Sequence, residues 1–255
     1  MTPPAEPVRL VIVGATGRMG QSLLRLLPQF PQLRLHAAVA GEHSGSLGRD
    51  AGEAAGLSRL GVPISADLEG ALQGAALALD FSTATAAARQ LALCAAAEIP
   101  LLLGTTALGP ELSPLLARAA QRIPLLVAAN TSLGAAVLEQ LVRRAARVLG
   151  EGFEVRIQDT HHRHKKDAPS GTALVLGRAA TAGRGAPAPV QYSSLREGEV
   201  VGEHEVQFLG EGERLELRHV AQDRAIFARG ALQAGLWLLR QKAGLYQMAD
   251  IFKEK

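Results

Sequence analysis

Short apolar runs alternate with segments of helical periodicity along the first half of the chain. The first run, VRLVIV, ends at a glycine-rich turn, and leucines at helical spacing follow it in QSLLRLLPQF. Further apolar runs lie in LRLHAAVA, ALALDFS, LLLGTTA and IPLLVAANTS. Alternating strands and helices predict parallel βαβ units, and near-continuous apolar strands predict a sheet covered on both faces. We therefore expect an α/β fold whose N-terminal domain is a Rossmann-type, doubly wound parallel sheet.

The pattern changes after the predicted helix LGAAVLEQLVRRAARVLG. The segments FEVRIQDTHHRHKK and EHEVQFLGEGERLELRH alternate polar and apolar residues, which is typical of an antiparallel or mixed sheet with one solvated face. A Gly/Pro-rich loop, GRGAPAPV, interrupts them, and the tail GALQAGLWLLRQKAGLY is predicted to be a helix that packs back on the first domain. We expect a first domain at residues 1–130, completed by residues 229–255, and a second, α+β domain at residues 131–228.

Composition narrows the range of functions. The formal net charge of +3 is small for 255 residues, whereas general nucleic-acid binders carry more positive charge, in clusters. Cys94 is the single cysteine, which excludes an intrachain disulfide and a Cys-rich metal site, and its Ala-rich surroundings predict a buried packing role. The N-terminal MTPPAEPVR lacks the apolar stretch of a signal peptide, and no apolar run approaches the length of a membrane span. We expect a soluble, cytoplasmic protein.

The glycine-rich turn after the first strand indicates a dinucleotide site. Gly14, Gly17 and Gly20 would allow a tight turn, close approach of a pyrophosphate, and close packing of helix on strand. The N-terminus of the following helix offers N–H groups and positive partial charge to phosphate. The acidic residue that binds ribose hydroxyls about 20 residues further on is absent, since Ala40–Gly41 stand there and Glu42 follows. This argues against strict NAD specificity, but no arginine stands there to establish NADP.

The predicted strands end in polar or glycine-rich segments. These are residues 14–20, 80–83, 104–106 and 128–132. Ligands of open parallel sheets bind at the carboxyl ends of the strands, so these segments predict one cleft. Asp80 is expected to cap its turn, and Phe81 to pack in the core or near the cofactor.

A basic run, HHRHKK, begins at His161 and precedes DAPSGTAL. Zinc is disfavoured, because in a strand only His162 and His164 share a face and no third ligand is evident. Nucleic acid is disfavoured because the run lacks interleaved aromatic residues. A solvated strand end and a site for a small anion remain open.

The residues after the run favour the anion site. Ser170 is a plausible helix N-cap, which would leave the N–H groups of Gly171 and Thr172 for a carboxylate. His161 and Lys165 are four residues apart, so that one could supply a proton while the other holds charge.

Taken together, these motifs resemble those of the 4-hydroxy-tetrahydrodipicolinate reductase family, also called dihydrodipicolinate reductases. The motif HHRHKKDAPSGTAL carries the resemblance most specifically, and GATGRMG, DFS, GTT, AANTSLG, GEHEVQF, GERLELRH and LWLLRQKAGLYQMADIF match in order. The resemblance implies a cofactor domain, a substrate-binding and tetramerisation domain with a mixed sheet, and a homotetramer. It implies reduction of 4-hydroxy-tetrahydrodipicolinate to tetrahydrodipicolinate by NADH or NADPH with loss of water, in lysine and diaminopimelate biosynthesis, without a metal.

The resemblance also implies residue roles. Lys165 would be the proton donor and His161 a proton donor or acceptor, while His162, Ser170, Gly171 and Thr172 would bind the dicarboxylate. His164 and Lys166 receive no role. Cofactor contacts are implied for Gly14, Ala15, Thr16, Gly17, Arg18, Met19, Gly104, Thr105, Thr106, Ala128, Ala129, Asn130 and Thr131.

The chain departs from the family pattern at three places. Ala40–Gly41 replace the acidic ribose contact and its basic neighbour, so NADPH or dual cofactor use is expected. GTTA replaces GTTG, so Ala107 would be strained in a left-handed turn. The stretch before SSLREGEVVGEH is short and lacks an arginine- and glycine-rich loop. A related oxidoreductase acting on another small dicarboxylate and a non-catalytic nucleotide sensor are the alternative functions.

Overall fold

The chain divides into two units, as seen in a computed structural model that describes residues 6–185 and 189–252. The first unit comprises the described residues up to Thr131 together with Phe227–Ile251. The second comprises Ser132–Ile226 and Phe252. None of the helices in the described residues is long and apolar enough to cross a membrane.

The first unit is built on a seven-stranded parallel sheet with the strand order β11-β6-β5-β4-β1-β2-β3. Its strands are β1 (Val8–Val13), β2 (Leu33–Val39), β3 (Ile64–Ser65), β4 (Leu77–Asp80), β5 (Leu101–Leu103), β6 (Pro124–Val127) and β11 (Gly244–Tyr246). The central strands β4 and β5 are buried along their whole length, as the continuous apolar runs predict.

Helices connect these strands and pack on the sheet. They are α1 (Arg18–Leu26), α2 (Ala51–Ala54), α3 (Leu68–Leu72), α4 (Ala84–Ala96), α5 (Ser113–Ala120) and α8 (Ala225–Leu238). Helix α8 lies on the sheet, since a Cβ at Gly235 would come within 2.9 Å of Leu77 and 3.2 Å of Leu79. Cys94 on α4 is fully buried in the core, where burial raises the pKa of its thiol to about 12. The predicted Rossmann-type sheet and the buried role of Cys94 are confirmed.

The predicted C-terminal helix is wrong in its last part. The helix ends at Leu238, and β11 adds a parallel strand beside β6, with Gly244 N–H donating to Ile123 at 3.2 Å. The leucine periodicity of the tail stops at RQKAG, and β6 would otherwise present unpaired backbone groups at the sheet edge. Pairing with β6 therefore overrides the helical pattern for these residues.

The second unit contains a four-stranded mixed sheet with the order β10-β9-β7-β8, as the alternating segments predict. Its strands are β7 (Glu154–His161), β8 (Val190–Arg196), β9 (Gly202–Leu209) and β10 (Arg214–Ala221). Strand β7 is parallel to β8 and antiparallel to β9. Helices α6 (Leu133–Leu149) and α7 (Gly171–Arg184) form a common core with the apolar face of the sheet, around Phe208.

Strand β8 is missing from the sequence-based prediction. The predicted loop over residues 183–190 instead contains the end of α7 and the start of β8, and its residues 186–188 lie outside the described part of the chain. Gln191, Tyr192 and Ser193 are all exposed, so β8 lacks the alternation that reveals a half-buried strand. Pairing with β7 therefore defines this strand.

Candidate functional site

The glycine turn of the first unit brings helix α1 directly against strand β1. Gly14 has a φ of +79°, and a Cβ there would lie 2.6 Å from the carbonyl oxygen of Phe81. A Cβ at Gly20 would lie 2.2 Å from the carbonyl oxygen of Gly14. Gly17 is the N-cap of α1, and the first helical turn has no acidic residue and no side-chain cap. The positive end of α1 is thus open to an anion.

A pocket of about 450 Å³ adjoins this turn. Of the predicted cofactor residues, Gly14, Thr16 and Gly17 line it, whereas Ala15 is buried. Arg18 and Met19, the first two residues of α1, do not belong to the lining. The remaining lining comes from the end of β1, from β2, α3 and α4, and from the loops beside them. It consists of Val13, Val39, Ala40, Gly41, Glu42, His43, Ala66, Leu68, Phe81, Ser82, Thr83, Ala86, Arg89 and Gln90.

The far side of the pocket carries side chains that sequence reasoning did not assign to the cofactor. Glu42 and His43 follow Ala40–Gly41, and Arg89 comes from α4; all three side chains are exposed. Arg89 is distant in sequence from the position where a basic residue is expected, so spacing from the glycine turn could not reveal it. The pocket therefore holds one acidic group and two groups that can carry positive charge.

Asp80 lies at the end of β4 and is completely buried. One carboxylate oxygen accepts a hydrogen bond of 2.8 Å from the N–H of Ser82, as a cap of this turn requires. The other oxygen and the buried hydroxyl of Thr105 have no partner at hydrogen-bond distance among the described residues. Burial raises the pKa of Asp80, and the donors of Ser82 oppose that rise.

The other predicted cofactor segments do not line the pocket. A Cβ at Gly104 would lie 2.1 Å from the ring of Phe81, so this glycine accommodates the ring. Thr106 is exposed, and Ala107 has the left-handed φ of +58° that the replacement of glycine predicts. In the segment 128–131, Ala128 and Thr131 are buried, Ala129 is exposed and Asn130 is half-buried, while the Thr131 hydroxyl donates to Phe227 at 2.7 Å.

In the second unit, the basic run begins where β7 ends. His161 is the last residue of the strand, and a turn follows in which the Lys165 N–H donates to the carbonyl of His162 at 3.1 Å. The strand-based assignment of His162 and His164 to one face is therefore wrong, because both lie beyond the strand.

His161 and Asp159 share a face of β7 and form a buried pair. The two residues are 8% and 0% exposed, and His161 Nδ1 lies 2.8 Å from an Asp159 carboxylate oxygen. Burial and the charge of Lys165 lower the pKa of His161, although Asp159 acts in the opposite direction. His161 is therefore neutral at neutral pH.

Two further histidines lie in a row across the sheet face that carries Asp159. His219, His204 and Asp159 are paired in register on β10, β9 and β7, and Ser194 of β8 completes the row. The His204 ring lies 5.1 Å from that of His161 and 6.4 Å from that of His219. Burial and the neighbouring His161 lower the pKa of His204 to about 4, so it is neutral. Sequence reasoning did not assign these residues, although GEHEVQF and GERLELRH contain the two histidines.

Helix α7 begins beside this row. Ser170 is its N-cap, as predicted; its hydroxyl accepts a 3.2 Å bond from the Ala173 N–H and lies 3.3 Å from His204 Nε2. Gly171 is exposed, and a Cβ there would meet no heavy atom within 4 Å. Thr172 is half-buried. The helix end thus offers open space and positive partial charge to an anion such as a carboxylate.

Cations accompany the helix end. The Lys165 side chain is 23% exposed and its Nζ lies 2.8 Å from an Asp167 oxygen. Arg196 donates to Asp159 at 2.9 Å. His162 is half-buried, and Lys166 and His164 are exposed. No cluster of three or more side chains suited to a metal occurs among the residues that the structure describes.

The first unit thus holds a pocket beside the glycine turn, and the second holds a helix end open to an anion. Two family models match the chain. Dihydrodipicolinate reductase, N-terminus, matches residues 8–131, and Dihydrodipicolinate reductase, C-terminus, matches residues 134–252.

Known proteins are similar over nearly the whole length. The 4-hydroxy-tetrahydrodipicolinate reductase of Anaeromyxobacter sp. (strain Fw109-5) is 44% identical, over 96% of this chain and 97% of its own. That of Methylocella silvestris is 44% identical, over 96% of each chain. The solved structure of a dipicolinate-bound dihydrodipicolinate reductase from Paenisporosarcina sp. TG-14 has a TM-score of 0.80 at 23% identity, covering 96% of this chain and 100% of that one, which shows the shared fold. The chain belongs to the dihydrodipicolinate reductase family.

Proposed function

We propose that the protein is an NAD(P)H-dependent 4-hydroxy-tetrahydrodipicolinate reductase of lysine and diaminopimelate biosynthesis. It reduces the cyclic dicarboxylate 4-hydroxy-tetrahydrodipicolinate to tetrahydrodipicolinate with loss of water. The observation that carries the proposal is the placement of His161, Lys165 and the Ser170 helix cap in one unit of a chain that is 44% identical to named reductases.

The first unit would bind the cofactor, which supplies the hydride when bound. The open N-terminus of α1 and the glycines that shape it suit a pyrophosphate, because a side chain at Gly14 or Gly20 would collide with backbone. We assign cofactor contacts to residues 14–19, 104–106 and 128–131, of which Gly14, Thr16 and Gly17 line the pocket. Asp80 and Thr105 add buried polar atoms that lack partners among the described residues.

NADPH use, alone or together with NADH, is part of the proposal. Arg89 and His43 line the pocket and could face a 2′-phosphate, while Glu42 could accept hydrogen bonds from ribose hydroxyls. Because the pocket has groups suited to a 2′-phosphate and a group suited to ribose hydroxyls, we expect the protein to use NADPH and also to accept NADH.

The second unit would bind the dicarboxylate. Ser170, Gly171 and Thr172 form the first turn of α7, where backbone N–H groups and the helix dipole stabilise a carboxylate. His162 would contact the same substrate. Positive charge on Lys165 and Arg196 lies near this end of the sheet, as the electrostatic effect of both groups on His161 indicates.

Lys165 would donate the proton that the reduced substrate takes up where negative charge builds. Its Nζ lies 2.8 Å from an Asp167 oxygen, and this hydrogen bond lowers the pKa of Asp167. A positioned general acid contributes roughly 10²–10⁴ in rate. Neutral His161 would accept a hydrogen bond or a proton at Nε2, because its Nδ1 faces an acceptor.

A cytoplasmic homotetramer, assembled through the sheets of the second unit, completes the proposal. Leu195 on β8 and Val220 on β10 are 47% and 43% exposed, and their register places them in one row across the sheet face opposite Phe208. Two large apolar side chains on the outer strands of one sheet face suit an interface with further copies. The assembly state is measured directly by analytical ultracentrifugation.

The test is Lys165→Ala, with Lys166→Ala as the matched control. We expect Lys165→Ala to lower kcat by roughly 10²–10⁴ and to leave NADPH affinity unchanged, because the proton donor and the dinucleotide pocket belong to different units. Lys166 is exposed and has no assigned role, so its variant should retain wild-type kcat. Loss of NADPH binding in Lys165→Ala would contradict the assignment of Lys165 to proton transfer.

A further inference from the structure

We propose that Asp159 is a positioning residue for the reduction, which holds His161 in the tautomer with Nδ1 protonated and Nε2 available to the substrate. The proposal rests on the reductase function. Asp159 would act without contacting the substrate. Arg196 and Ser194 would hold its carboxylate in place.

The hydrogen bonds around Asp159 require an ionised carboxylate. One oxygen accepts from His161 Nδ1 at 2.8 Å and from Arg196 at 2.9 Å. The other accepts from the Ser194 hydroxyl at 2.6 Å and from the Ser170 N–H at 3.4 Å. An ionised carboxylate only accepts hydrogen bonds, and these donors lower the pKa of Asp159 although burial raises it.

The ionised carboxylate determines which ring nitrogen of His161 carries the proton. Because Asp159 cannot donate, Nδ1 must be protonated in the neutral ring, and Nε2 then carries the lone pair. A Cβ at Gly202 would lie 3.1 Å from Nε2, so this glycine of β9 leaves the nitrogen uncovered by a side chain of its own. Nε2 is thus the atom of His161 that can exchange a proton or a hydrogen bond with substrate.

The sheet makes this arrangement rigid. Asp159 and His161 are two residues apart on β7, so both side chains lie on one face, and Ser194 and Arg196 are their register partners on β8. Arg196 also donates to the carbonyl of Asp167 at 2.5 Å, which ties the strand pair to the loop that carries Lys165. Asp159 therefore contacts His161 directly, and through Arg196 it is connected to the loop that carries Lys165.

The charge of His161 depends on groups from every element around it. Asp159 on β7 favours the imidazolium, whereas Lys165 in the following loop and Arg196 on β8 disfavour it. His204 on β9 is adjacent and neutral. Removing the negative charge of Asp159 leaves only the disfavouring cations, so the His161 pKa must fall in such a variant.

The test is Asp159→Asn, which keeps the size of the side chain and removes its charge. Ring ¹⁵N shifts of labelled histidine, assigned with His161→Gln, report both the tautomer and the pKa of His161. We expect the His161 ionisation to move to lower pH and kcat to fall, by at most the roughly 10²–10⁴-fold that a positioned acid–base group contributes. NADPH affinity should not change, and Asp159→Glu should recover part of kcat because it restores a carboxylate.

Asp50→Asn is the matched control. Asp50 is also a buried carboxylate, and it accepts bonds from Gly52, Glu53, Leu60 and Val62, but it lies in the first unit and has no hydrogen bond to a histidine among the residues that the structure describes. We expect this variant to lose stability without any change in the His161 ionisation or in kcat of the folded protein.

Ser194→Ala provides a second, milder perturbation for the case in which Asp159→Asn does not fold. With one donor fewer, the carboxylate interacts more strongly with the imidazole, so the His161 pKa should rise, opposite to the shift in Asp159→Asn. An unchanged His161 pKa in folded Asp159→Asn, or in Ser194→Ala, would overturn the proposal. The ¹⁵N titration needs no turnover, so an inactive wild-type protein would refute the reductase function while leaving the role of Asp159 under test.

Discussion

Ala107 adopts a backbone conformation that glycine adopts more easily. Its φ is +58° in an exposed turn that follows the predicted cofactor segment 104–106. A left-handed conformation costs an alanine about 1–2 kcal/mol, and the larger freedom of glycine in the unfolded chain offsets part of the gain. We expect Ala107→Gly to raise the free energy of unfolding by about 1 kcal/mol. Denaturant titration measures this change.

Ala97→Gly is the control for that prediction. Ala97 is exposed at the end of α4 with a φ of −79°, a conformation that suits alanine. Its replacement should lower the free energy of unfolding by about 0.4–1 kcal/mol. The strain assigned to Ala107 is refuted if both variants are destabilised equally.

Local residue patterns predicted some of the site and could not predict the rest. Ser170 as N-cap depends on neighbours in sequence, which the sequence displays, and the strain at Ala107 followed from the family resemblance. Asp159 meets Ser194 and Arg196 because β7 and β8 are in register, and that register joins residues 35 and 37 positions apart. A single sequence contains no signal for such a register.

At the scale of elements, the close packing of α1 on β1 is the feature that most directly shapes the cofactor pocket. A Cβ at Gly20 would lie 2.2 Å from the Gly14 carbonyl oxygen and 2.6 Å from the Ala15 Cα. Gly20→Ala must therefore move the helix away from the strand. We expect a loss of about 1–3 kcal/mol in the free energy of unfolding, together with weaker NADPH binding. Urea unfolding and a fluorescence titration with NADPH measure the two effects.

Gly45→Ala is the matched control for Gly20→Ala. Gly45 is exposed, and a Cβ there would meet no heavy atom within 4 Å. We expect its stability to remain within about 0.5 kcal/mol of wild type, with unchanged NADPH binding. Wild-type NADPH affinity in Gly20→Ala would contradict the role given to this turn.

Elements with a strong periodic signal were predicted well, and those defined by pairing were not. Strands β1, β4 and β5 are buried throughout or nearly so and read as apolar runs. Strand β11 was predicted as the end of the C-terminal helix, and β8 is exposed at Gln191, Ser193 and Leu195 on one face and at most half-buried on the other. Strand β11 forms by pairing with β6 and strand β8 by pairing with β7, so the residues of each strand alone carry little information about it.

At the scale of the whole molecule, the sequence distinguished a parallel α/β part from a mixed-sheet part because their hydrophobic patterns differ. The return of the C-terminal segment to the first unit followed from its apolar character, and α8 does pack on that sheet at Leu77 and Leu79. The assignment of cofactor to the first unit and dicarboxylate to the second remains a proposal, which rests on the chemistry of each unit.

The most direct test of that account is the oxidation of NADPH and of NADH, followed at the nicotinamide absorbance band, with freshly generated 4-hydroxy-tetrahydrodipicolinate. We expect rapid oxidation that depends on the substrate, with NADPH accepted and NADH either comparable or slower, because Arg89 and His43 line the pocket beside Ala40–Gly41. Protein that demonstrably binds NADPH but oxidises neither cofactor in the presence of this substrate would contradict the reductase function.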